Sequence, residues 1–165
     1  MRRFRWTSAD HVQLRLPAAE RAVLTSLLPQ LLAVVNGEAE VEHLRARLFP
    51  AAYEDPERED EFRRLVGDDL VDQRREALDV VVTSLDQGRS RGRNWVVDLD
   101  LDQVQAWLGV LHDLRLVLAQ VVGIRTESDW STDPRTAEPA EIVLWHLGAL
   151  QDELIGLLSG TLDDS

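Results

Sequence analysis

Apolar residues recur at helical spacing through four stretches of this sequence, residues 17–35, 57–85, 101–122 and 139–158. A chain patterned in this way has to bury those faces against one another. In the first stretch Leu24, Leu27, Leu28, Leu31, Leu32 and Val35 make the stripe, Pro17 stands in the opening turn and Asn36-Gly37 ends it. Pro29 lies inside the pattern and predicts a kink or a split into two helices. A short helix over 41–48 runs into Phe49-Pro50, and Asp55-Pro56 marks the next boundary. The stretch from 57 to 85 has Gly67 as its weak point. Asp100 with Gln103 three residues on resembles a capping box opening the helix of 101–122, which Gly123 ends. A polar loop over 126–138 leads to the last helix.

Two regions alternate instead. Residues 3–6 and 11–16 flank the turn-rich Thr7-Ser8-Ala9-Asp10 and read as a β-hairpin. Trp95, Val97 and Leu99 alternate with Val96, Asp98 and Asp100, which predicts a strand over 95–99 able to join that hairpin. The expected fold is mainly α: a compact bundle of about five helices with a small antiparallel sheet, the N-terminal hairpin plus one later strand. The length of 165 residues suits one domain spanning 1–165. Its expected parts are the hairpin 3–16, a helical body 17–87, a basic loop 88–93, the strand 95–99 and the two later helices.

Composition narrows the chemistry. The absence of Cys removes disulfides, thiolate metal sites and thiol nucleophiles together. Thirty acids face 18 bases, all of them Arg, for a net charge of −12, so the overall field repels phosphates. The charge is uneven: residues 1–21 carry net +3 and Arg89-Ser-Arg-Gly-Arg93 another +3, on an otherwise acidic chain. Arg3, Arg5, Arg89, Arg91 and Arg93 are therefore the expected contacts for an acidic protein partner or a phosphate. The longest uncharged apolar run, 22–35, is shorter than the ~20 residues of a membrane span and starts too late for a signal peptide, so a cytoplasmic protein is expected.

No motif supplies a reaction. Asp98-x-Asp100-x-Asp102 resembles the start of a Ca²⁺ loop, but Gln103 holds the glycine position and Gly109 the place of the bidentate Glu. Glu40-x-x-His43 occurs once where a di-iron bundle needs it twice, and no Ser sits in G-x-S-x-G. The expectation is no metal, no cofactor and no catalytic set. A helix-turn-helix around Gly67 would lead with Asp68-Asp69, so direct DNA binding should be weak at best.

One anomaly sits within the expected core. On a helical wheel Arg115 falls only ~20° from Val104, amid the apolar face. Asp69 and Glu76 share a face with Phe62, Val66 and Val80. A buried guanidinium needs a carboxylate, which predicts a buried polar cluster of Arg115 with Asp69 or, failing that, Glu76. The alternatives to a protein-binding role are a small-ligand binder or enzyme using these residues with His146, and an assembly subunit or homodimer burying amphipathic faces such as 143–158.

Four motifs stand in order: Arg47-Leu-Phe-Pro-Ala-Ala-Tyr53; Asp60-Glu-Phe-Arg-Arg-Leu65 with Asp68-Asp-Leu70; residues 107–118 from Trp107 to Leu118; and Trp145-His-Leu-Gly-Ala-Leu-Gln151. With the hairpin they resemble a domain-of-unknown-function family of small acidic actinobacterial proteins, one branch of which is the actinomycete oxidative stress regulator (AosR). The resemblance implies a cytoplasmic transcriptional regulator that works with a sigma factor or RNA polymerase in oxidative-stress and sulfur metabolism. It supplies no catalytic residues. This chain departs from it in having no Cys, so sensing through a disulfide is excluded here.

Overall fold

The computed structural model describes residues 2–123 and 139–160; the polar loop expected over 126–138 lies outside them. Strands β1 (Phe4–Trp6) and β2 (His11–Pro17) form the expected hairpin. Helix α1 (Ala18–Val35) follows, then one 3₁₀ turn (Ala39–Val41), α2 (Glu42–Leu48) and the long α3 (Pro56–Gln87). Strands β3 (Arg89–Arg91) and β4 (Asn94–Asp100) precede α4 (Leu101–Val122) and α5 (Pro139–Leu158). The protein is thus mainly helical with a small antiparallel sheet.

Local chemistry sets these boundaries. Asp55 caps α3 by accepting from the Glu57 amide, and Pro56 occupies the first turn. Asp100 and Gln103 form the full capping box of α4, and Gly123 closes that helix at φ 84. Pro29 lies inside one continuous helix and does not split α1 in two, the sharper of the two expected outcomes. Pro29 and Thr25, whose carbonyl loses its usual amide partner, both face solvent, where water can replace the missing donor.

The sheet order is β1-β2-β4-β3, all neighbours antiparallel. The sheet therefore has two later strands where one was expected, because the basic segment begins as an edge strand and not as a loop. Arg91 pairs with Asn94 across a two-residue connection whose Gly92 has φ 64, while no non-glycine residue among those described has positive φ. That pattern suits a type II′ hairpin turn.

One face of the sheet is covered by helices. Phe4, Val12, Leu14, Leu16, Trp95, Val97 and Leu99 point inward, and α4 lies at the centre, packed by α2, α3, α5 and β4. Helix α1 is long and apolar enough to span a bilayer by composition, yet Leu24, Leu28, Leu31, Val34 and Val35 are buried in this core.

Strand β1 is pinned by a carboxylate. Glu153 on α5 accepts from the Phe4 amide at 2.7 Å and from the Arg3 amide at 2.8 and 3.1 Å. Glu153→Ala is expected to cost about 2 kcal/mol, since both amides lose a charged acceptor. Urea unfolding measures the cost, and amide exchange at Phe4 should quicken more than at Leu14.

Candidate functional site

Because side chains alternate along a strand, the register determines the outer face of the sheet. Arg15 and Arg89 both lie opposite Val96, Arg5 lies opposite Gln13, and Arg91 opposite Asn94. Arg5, Arg15, Arg89 and Arg91 thus share the face turned away from the helices, and Arg93 stands exposed in the adjoining turn. Asp98 and Asp100 follow toward the other end of β4. Val96 is also on the outer face but only 2% exposed. Its cross-strand neighbours are Arg15 and Arg89, whose alkyl stems can cover it while their charged heads stay in water.

The arginine heads remain available. Arg5 donates to Gln13 Oε1 at 3.3 Å. With its amide oxygen turned toward Arg15, Asn94 accepts from Nη2 at 3.0 Å and Nε at 3.2 Å. Among the described residues, no carboxylate lies within ion-pair distance of Arg5, Arg15, Arg89, Arg91 or Arg93. A permanently charged, planar guanidinium matches carboxylate and phosphate oxygens two at a time.

Arg3 does not belong with them. Its Nε and Nη2 bond Glu20 at 3.1 and 2.5 Å, so its charge is used inside the fold. Arg15 joins them, although the charge pattern of the sequence does not single it out. The signal is the alternation: between inward Leu14 and Leu16 it can only face outward.

The expected cluster of Arg115, Asp69 and Glu76 does not form. Asp69 and Glu76 are exposed, and half-buried Arg115 donates to Gln151 Oε1 at 2.5 Å. The arginine–carboxylate pair between α3 and α4 is instead Arg74 with Asp113. A single apolar face was the wrong picture for a central helix. Asp113, about 180° around the wheel from Val104, is buried as well because α4 packs on α3 and α5 at once. Burial pushes the Asp113 carboxyl above its ordinary value, against the opposing pull of Arg74.

His146 is exposed beside a groove of ≈ 190 Å³ between α1 and α5, walled by Val23, Leu24, Val143, Leu147 and Leu150. Its Nδ1 lies 4.0 Å from Glu20, and neither Arg115 nor Asp69 nor Glu76 lines that groove. Among the described residues, no group of three His, Cys, Asp or Glu side chains could hold a metal ion.

A family model described as Domain of unknown function (DUF2017) matches residues 1–158. No curated protein matches the chain, and no solved structure does.

Proposed function

The chain belongs to the DUF2017 family, and we propose that it is a non-enzymatic, cytoplasmic regulatory protein that docks the arginine face of its sheet on an acidic protein surface. The observation that carries this reading is the strand order. It gathers Arg5, Arg15, Arg89 and Arg91 from three separate strands onto one outer face of a molecule of net charge −12. Such a face attracts anions locally, and the net charge of −12 weighs more against the densely and continuously charged DNA backbone than against a local acidic patch on a protein. The resemblance to the actinomycete oxidative stress regulator supports a sigma factor or RNA polymerase as that partner. The absence of Cys excludes a thiol-based response to oxidants within this chain.

Affinity capture from the native host tests the reading, with wild type beside an Arg89→Ala/Arg91→Ala/Arg93→Ala variant. All three side chains are exposed, so the fold should survive their loss. A sigma factor or polymerase subunit retained by wild type, and bound at least ~10-fold more weakly by the variant, is the expected result. Equal retention by both proteins would refute it. So would tight, sequence-specific DNA binding by the purified chain at about 150 mM salt.

A further inference from the structure

A second surface, opposite in charge, lies at the far end of α3. The helix has 32 residues, which makes it ~48 Å long. Its fully buried residues, Leu78, Val81, Ser84 and Leu85, all fall in the last third. The first half rests on the 49–55 segment, which it clamps. Arg63 donates to the carbonyls of Phe49 and Pro50, and Glu59 accepts from the amides of Ala52 and Tyr53 at 2.8 and 3.0 Å. Arg63 and Glu59 also pair with each other at 2.7 Å.

The clamped segment leaves apolar groups in water. Tyr53 is 45% exposed and meets Phe62 edge-on with ring centroids 5.8 Å apart, while Leu65 is 67% exposed. Phe62 forms a shared wall of two grooves. One, of ≈ 300 Å³, includes Leu48, Phe49 and Leu70; the other, of ≈ 290 Å³, includes Tyr53, Arg58, Glu61 and Leu65.

Carboxylates ring this apolar ground. Glu61, Asp68 and Asp69 stand at i−4, i+3 and i+4 from Leu65, the positions that neighbour it on a helix. Residues 54–72 hold nine acids and three arginines. All three arginines have an acid beside them within the arm, Arg58 at Asp55, Arg63 at Glu59 and Arg64 at Glu61. Glu54, Glu57, Asp60, Asp68 and Asp69 have no basic partner among the described residues.

We propose that this arm is a docking site for a basic amphipathic helix of another protein. Aliphatic side chains of that helix enter the grooves beside Phe62, and its Lys and Arg residues meet Glu61, Asp68 and Asp69. Charge complementarity selects the occupant, because the arm repels an acidic partner and its apolar grooves are wasted on a purely polar one. A second copy of this chain fits poorly. The sheet face that gathers Arg5, Arg15, Arg89 and Arg91 offers no aliphatic ridge to fill these grooves, since its Val96 is already covered. With the arginine face near one end of α3 and the acidic arm at the other, the molecule can hold two partners of opposite charge.

The test uses a fluorescently labelled synthetic 18-residue peptide with Leu along one helical face and Lys elsewhere, and a scrambled peptide of the same composition. Wild type should bind the amphipathic peptide at least ~10-fold more tightly than the scrambled one. Leu65→Asp adds negative charge, yet it should weaken binding about tenfold because the apolar contact is lost. The side chain is exposed, so circular dichroism should be unchanged. The Arg89→Ala/Arg91→Ala/Arg93→Ala variant should bind the peptide like wild type, which separates this surface from the arginine face. Equal binding of both peptides, or no effect of Leu65→Asp, would overturn the proposal. So would a dimer in sedimentation that Leu65→Asp dissolves, which would assign the arm to a second copy.

Discussion

Arg74→Ala is expected to destabilise the protein by about 3 kcal/mol at neutral pH, and by distinctly less in acid. The Asp113 side chain is 5% exposed, whereas that of Arg74 is 32% exposed. Removing the arginine therefore strands a buried carboxylate, which costs more than leaving a half-solvated guanidinium. Arg74 also reaches the Leu48 carbonyl at 3.4 Å and lies 5.7 Å over the Phe49 ring, so part of the loss is packing against α2.

The pH dependence follows from the carboxyl. Burial raises the Asp113 pKa in the folded state above its unfolded value, and Arg74 works against that rise. Without Arg74 the folded-state pKa climbs further. Folding then takes up a proton, so the group favours the folded state at low pH and that advantage is lost as pH rises through the raised pKa. Urea unfolding of wild type and variant at several pH values between about 4 and 7 measures this. The gap between the two should widen with pH; a gap that narrows would mean that Asp113 is not left as a buried anion. Arg74→Leu with Asp113→Leu should recover much of the loss, because no charge then stays behind.

How this pair escaped prediction shows where a one-dimensional pattern stops. The bounds of α4 are legible in the sequence because its signals are local: Asp100 and Gln103 cap each other three residues apart, and Gly123 turns the chain left-handed. Which residues of α4 are buried is not local. A wheel drawn on one apolar face assigns Arg115 to the core and Asp113 to water, but in a helix wrapped by α2, α3 and α5 the wet side shrinks to a narrow stripe through Gln105 and His112. Gln151 on α5 then receives Arg115, a partner 36 positions away that no spacing within α4 announces.

The arginine face illustrates the same boundary from the other side. Alternation in β2 and β4 was readable because Leu14, Leu16, Trp95 and Val97 mark the inner face. Strand β3 carries Arg, Ser and Arg, all exposed, and is held as a strand by its pairing with β4. Nothing in such a segment separates an edge strand from a loop until its partner is known. The strand order is what converts two basic segments far apart in the chain into one surface.

Gly88→Ala is expected to cost about 3 kcal/mol, at the upper end of what overpacking a core does. Gly88 has φ −72 and ψ 175, a conformation open to any residue, so the backbone gives no reason for glycine there. The reason is steric: a Cβ would stand 2.1 Å from both Cε2 and Cζ2 of Trp95. That ring cannot step aside cheaply, being 4% exposed with the Arg21 guanidinium 5.2 Å over it. Arg21 is itself tied to the Leu85 carbonyl at 2.8 Å. The expected loss corresponds to a fall in Tm of roughly 6–12 °C. Gly88→Ala combined with Trp95→Leu should be less destabilised than the sum of the single changes, since the smaller side chain vacates the space. An additive double variant would show that the ring is not the obstacle. Because Gly88 joins the end of α3 to Arg89, a backbone shift that relieves the clash displaces β3. The single variant should therefore also lose affinity for whatever the arginine face binds, although no arginine has been changed.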